Sequence, residues 1–82
     1  MNKYTTQFFC FCPTNGVRIL YTWVIETTQV HMVEDLIDAV TLHGKGFHEA
    51  ISDDLHREFG GVQTLKANHH GGEIETVRGV PA

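Results

Sequence analysis

Six histidines, at positions 31, 43, 48, 56, 69 and 70, stand out in a chain of 82 residues. Neutral imidazole ligates metals and moves protons near neutral pH, so spacing decides what these six can do together. His48, Ser52 and His56 recur every four residues and share one face of any helix. A zinc-protease helix needs His-Glu-x-x-His. Here His48-Glu49 is followed by Ala50, Ile51 and Ser52, so the second ligand is missing. His69 and His70 adjoin the Gly71-Gly72 turn, and neighbouring strand residues point to opposite faces. The expectation is surface histidines, with no metal and no cofactor.

Cys10 and Cys12 are one residue apart, closer than the usual Cys-x-x-Cys knuckle of a zinc site. On a strand they share a face about 6.6–7 Å apart with parallel side chains, which disfavours a disulfide. They read as two free thiols in a core strand, in a reducing, cytoplasmic setting. Glu73 and Glu75 share a strand face beside the His-His-Gly-Gly turn. Paired carboxylates can serve acid/base chemistry if one pKa is raised, but charges that guard a sheet edge have the same pattern. The His43-Gly44-Lys45-Gly46 stretch lacks the spacing of a phosphate loop. No coherent catalytic set emerges, so binding is expected over enzymatic activity.

The elements that must position these groups follow from periodicity. Gln7 to Cys12 is an aromatic-rich run ended by Pro13, and Pro13-Thr14-Asn15-Gly16 is turn chemistry. From Val17 to Thr27 a second strand alternates Val17, Ile19, Tyr21, Trp23 and Ile25 against a mixed face of Arg18, Leu20, Thr22, Val24 and Glu26. The period then changes. Val33, Leu36, Ile37 and Val40 make a helical stripe, with Glu34 and Asp35 where the dipole favours anions. Gly44 and Gly46 break that helix. Phe47, Ala50, Ile51, Leu55 and Phe59 resume the period, Asp53 and Arg57 are spaced for an i,i+4 pair, and Gly60-Gly61 closes it. Two further short strands surround Gly71-Gly72. In the last one Ile74 and Val77 have opposite parity, so a bulge or an exposed edge is expected.

The reading is a single α+β domain over 1–82, in the order β-β-α-α-β-β: a first hairpin over 7–27, a helical middle over 30–59, a second hairpin over 62–78 and a tail over 79–82. One antiparallel four-stranded sheet carries a broken or kinked helical layer on one face. Such a layer shields one face, while the first hairpin has apolar groups on both. Phe11, Tyr21 and Trp23 are therefore candidate interface residues.

Ten acids against six Lys and Arg give a net charge of −4. That balance disfavours direct nucleic-acid binding, which rests on neutralising phosphates. No apolar run approaches the roughly 18 residues of a membrane span, and no signal-peptide pattern is recognised. The acids crowd the middle third, making Glu34, Asp35, Asp38, Asp53 and Asp54 a candidate acidic surface.

Two functions from different classes fit. The first is a small, acidic, cytoplasmic protein-binding or regulatory domain, expected to form a homo-oligomer. It would occlude a basic surface of another protein. In size and charge it is similar to phage-encoded anti-defence inhibitors. The second rests on element order: β-β-α-α-β-β resembles one unit of the tunnelling fold of pterin- and purine-handling enzymes. That resemblance implies sites between subunits, with Glu73 or Glu75 anchoring a heterocycle and His69 or His70 as acid/base.

Overall fold

The computed structural model describes residues 1–44, 46–69 and 71–79. Four strands, β1 (Asn2–Phe11), β2 (Arg18–Thr27), β3 (Val62–His69) and β4 (Gly72–Arg78), form one antiparallel sheet in the order β1-β2-β3-β4. Helices α1 (Val33–Thr41) and α2 (His48–Phe59) connect β2 to β3 and cover one face. The α+β architecture expected from periodicity is the one observed.

The first hairpin is longer than its aromatic run. Asn2 to Thr6 read as polar lead-in, yet they pair with Thr27 to Trp23 in unbroken register. Tyr4 explains the extension: its ring packs against the core and its hydroxyl accepts the backbone N–H of His31 at 3.0 Å. Where β1 turns into β2, Cys12 N–H donates to Val17 O and Gly16 N–H to Cys12 O, while Asn15 Oδ1 accepts Val17 N–H. Gly16 takes φ 70°, a conformation glycine adopts at little cost.

The helical layer breaks where the two glycines predict. The connection is stitched to the sheet: Phe11 N–H donates to Gly44 O at 2.9 Å, and Gly46 N–H returns to Phe11 O. At the far end of α2, Gly60 N–H donates to His56 O, and Gly61 follows at φ 70°. A Cβ on Gly61 would lie 2.9 Å from Glu26 O, so the step into β3 demands glycine twice over.

The core lies between sheet and helices. The inward residues of β2 (Ile19, Tyr21, Trp23, Ile25) meet Leu36 and Val40 of α1 and Ile51 and Leu55 of α2. A polar device sits at its centre. Trp23 Nε1 donates to Gln63 Oε1 at 2.9 Å, and Gln63 Nε2 donates to the carbonyls of Leu55 and Gly60 at 3.1 and 2.8 Å. One buried amide thus ties β2, α2 and β3 together, and a buried amide is tolerable because its polar atoms are satisfied. β4 keeps an unbroken register with β3, so the opposite parity of Ile74 and Val77 reflects an exposed edge strand, not a bulge.

Tyr21 and Trp23, expected as interface candidates, are core: they are 2% and 1% exposed. Their face of β2 is the uniformly apolar one, which the helices cover for that reason. Asp53 and Arg57 do not pair with each other. Arg57 meets Asp54 at 3.0 Å, and Asp53 takes Arg78 of β4 at 2.8 Å.

Candidate functional site

Three surfaces carry side chains that could recognise something. The first is the groove between α1 and α2, about 450 Å³, lined by His31, Asp35, Asp38, Ala39, Leu42, Glu58 and Phe59. Asp35 and Asp38 project from the flank of α1 that faces α2, and Glu58 answers from the last turn of α2. The result is a carboxylate rim over an apolar floor of Ala39 and Phe59, with the exposed Leu42 at its lip. At one end, the His31 ring meets the Phe59 ring edge-on at 5.4 Å. Glu34 is exposed on α1, and Asp53 and Asp54 are engaged with Arg78 and Arg57. Of the five expected acidic residues, the fold brings Asp35 and Asp38 together, and it adds Glu58.

The second is a cavity of about 480 Å³ at the end of the sheet where α2 begins. Cys12, Tyr21, His48, Glu49 and His69 line it together with Ile19, Phe47 and Ile74. His48 is not the surface histidine that its helical spacing suggests. Only 9% exposed, it packs its ring 5.4 Å from that of Tyr21. Neither ring nitrogen has a partner in hydrogen-bonding geometry, although the Leu65 backbone lies close enough to favour the protonated ring. Burial outweighs that contact and holds the His48 pKa below the ordinary imidazole value. Burial likewise pushes the Tyr21 hydroxyl up to about 12.

The two thiols diverge. Cys10 is buried and its pKa is raised by desolvation, only partly offset by the Gly46 backbone. At the mouth of the cavity Cys12 has its pKa lowered, first by the backbone N–H of Thr14 and then by that of Asn15. Neither cysteine is in a disulfide.

The third surface is the uncovered face of the sheet. Phe9 and Phe11, 50% and 49% exposed, lie there with Leu20 and Val77, and Arg18 stacks its guanidinium 3.6 Å from the Phe9 ring centre. Of the expected aromatic trio, Phe11 alone is open to solvent; Phe9 and Leu20 are its companions. Glu73 and Glu75 also belong here, since their strand partners are Asn68 and Lys66, and Glu73 pairs with Lys66 at 3.3 Å.

That placement separates His69 from the two glutamates of the expected ligand set. His69 faces the cavity on the helix side, while Glu73 and Glu75 point away from it, so the three do not form one site. His70 lies outside the described residues. Among the described residues, no group of three or more His, Cys, Asp or Glu side chains is arranged to hold a metal ion, and no helix is long and apolar enough to cross a membrane. Neither a family model, nor a curated protein, nor a solved structure matches this chain.

Proposed function

We propose that this chain is a small cytoplasmic protein-binding domain that works as a homo-oligomer and masks a basic surface of another protein, in the manner of an inhibitor. The observation that carries the reading is the groove between the helices. Asp35, Asp38 and Glu58 line it from two elements, over a floor of Ala39 and Phe59. A lysine or arginine side chain fits this chemistry. Its methylene stem lies on the apolar floor and its charged head meets the carboxylates. Asp54, one helical turn before Glu58, extends the same acidic face and already has Arg57 as partner, whereas Asp53 turns to Arg78 of β4 on the other flank of α2.

The test uses a lysine- and arginine-rich amphipathic peptide as probe, with the full chain, read by fluorescence anisotropy at rising salt. Binding should weaken with salt as exposed charges are screened. Replacing Asp35 and Asp38 by Asn and Glu58 by Gln should cost at least tenfold. Glu73→Gln with Glu75→Gln, on the far side of the sheet, should change little. Equal affinities for the two variants would refute the reading.

One observation favours a second reading, a binder of a small heterocycle. The cavity beside α2 is of ligand size and joins an apolar lining to Tyr21, His48, Glu49 and His69. The anchoring carboxylate would then be Glu49, not Glu73 or Glu75. A purine or pterin that raises the melting temperature of the wild type but not of Glu49→Gln would support it; no shift with either would end it.

A further inference from the structure

The two sheet edges are guarded very differently. β4 is seven residues long and carries Glu73, Glu75 and Arg78. β1 is ten residues long, has no bulge in its pairing, and bears one charged side chain, Lys3. Natural sheets usually protect an edge with charge, proline or a bulge, and β1 has almost none of these.

The hydrogen-bond phase of β1 shows which groups are free. Cys12 bonds Val17, so in an antiparallel ladder the even residues face β2 and the odd residues face outward. Phe11 confirms the phase, because its N–H and C=O are taken by Gly44 and Gly46. Among the described residues, nothing bonds the outward N–H and C=O of Lys3, Thr5, Gln7 and Phe9.

A second feature lies on the same side. Asp35 and Asp38 of α1, with Leu42 just past its end, line the groove toward α2. At about 100° per residue, Val33 and Ile37 therefore project from the opposite flank, over the outer edge of β1. Both are about half exposed, at 52% and 48%, with the exposed Glu34 about 60° further round the helix from Ile37.

We infer that β1 is the homodimer interface that the proposed self-association requires: two copies join edge to edge through antiparallel β1 strands into one eight-stranded sheet. The inference rests on the chain being a homo-oligomer, and not on the acidic groove. The occupant is a second copy because the free positions are self-complementary about Thr6. Lys3 then exchanges bonds with Phe9 of the other copy and Thr5 with Gln7, which makes about eight new bonds and leaves no outward group over. Thr6 meets Thr6 and Tyr4 meets Phe8 at the intervening pairs, both favourable cross-strand combinations. No two like charges face each other across the strands.

The helical layer closes in the same arrangement. Helix α1 rests on β1, the edge strand itself, so a β1 pair sets the two α1 helices side by side across the joint. They run antiparallel, with Val33 and Ile37 of each copy at the contact.

Size-exclusion chromatography with light scattering should give twice the chain mass of 9.2 kDa at tens of micromolar. Gln7→Pro deletes an N–H that is free in the single chain, a change edge strands tolerate. Ile37→Glu places charge in the helix contact at a residue already exposed. Each should raise the dimer dissociation constant at least tenfold with an unchanged circular dichroism spectrum. Should the proline variant fail to fold, Ile37→Glu still decides the matter. Thr6→Cys, in a Cys12→Ser background, should oxidise to a covalent dimer, since a non-hydrogen-bonded pair brings the two Cα atoms within disulfide range. A monomer at hundreds of micromolar would overturn both the interface and the self-association behind it. A dimer that resists Ile37→Glu and does not cross-link through Thr6→Cys would overturn the interface alone.

Discussion

Gln63→Leu is the most informative single substitution for the fold. Leucine nearly matches the volume of glutamine, so it opens little cavity, and Gln63 is 2% exposed, so water cannot replace what is lost. Three hydrogen bonds disappear: one from Trp23 Nε1 and two to the carbonyls of Leu55 and Gly60. Each bond is worth about 1 kcal/mol net, and an orphaned buried donor costs about 1–3 kcal/mol. The Leu55 carbonyl sits in α2 and can keep an intrahelical partner, which limits its share. The expected loss is about 3 kcal/mol. A domain of this length has about 4–12 kcal/mol in total, so the substitution removes a quarter or more of its stability. The melting temperature should fall by about 12–24 °C. Trp23 is the sole tryptophan, so its fluorescence reports both the transition and the altered indole environment. Trp23→Phe and the double variant complete a cycle, whose coupling should be about 1–2 kcal/mol. A change below about 0.5 kcal/mol in Gln63→Leu, against that expectation, would refute the view that this amide organises the core.

Two further outcomes follow from the cavity. The folded-state pKa of His48 lies below the free value of 6.5, so between those two pH values the unfolded chain binds a proton that the folded chain does not. Stability is therefore full above about pH 6.5 and falls as the solution is acidified toward the folded pKa; melting temperatures across that range should show a slope that shrinks in His48→Phe, and an unchanged slope would contradict the assignment. Limited alkylation with iodoacetamide, followed by mass spectrometry, should modify Cys12 well before Cys10, because the Thr14 and Asn15 amides stabilise the Cys12 thiolate while burial penalises that of Cys10; modification of Cys10 first would be the opposite result.

Periodicity made most of this fold legible. The Asn15-Gly16 turn, the two-residue alternation of β2 and the helical stripe of Val33, Leu36, Ile37 and Val40 are each local signals, and local pairing of hairpins leaves few topologies. The first residues of β1 were opaque because an edge strand with one half-buried tyrosine has no strong alternation. Parity did separate Phe9 and Phe11 from Phe8 and Cys10, and Tyr21 and Trp23 from Arg18 and Leu20. The clue to which set the helices cover was the mixed polarity of the Arg18 face, and treating Phe11, Tyr21 and Trp23 as one set overlooked it. The burial of His48 was invisible because its face of α2 also holds Ser52 and His56, neither of them apolar. The groove depends on Asp35 and Glu58, far apart in sequence, meeting only after two helices pack, and no spacing rule reports such a meeting.

The connection between the helices divides the chain into near-matching halves, each made of one hairpin and one helix, and β2 and β3 hold the halves together along a single central seam. Each half forms its own contacts over short stretches of chain, whereas the seam requires closing the whole helical excursion, which is entropically the dearer step. Fragments separated between α1 and α2 should thus retain the information to find one another and rebuild the sheet by complementation. In the joined eight-stranded assembly the seam of each copy would lie well inside the sheet, so assembly would reinforce the line along which a lone chain is most readily parted.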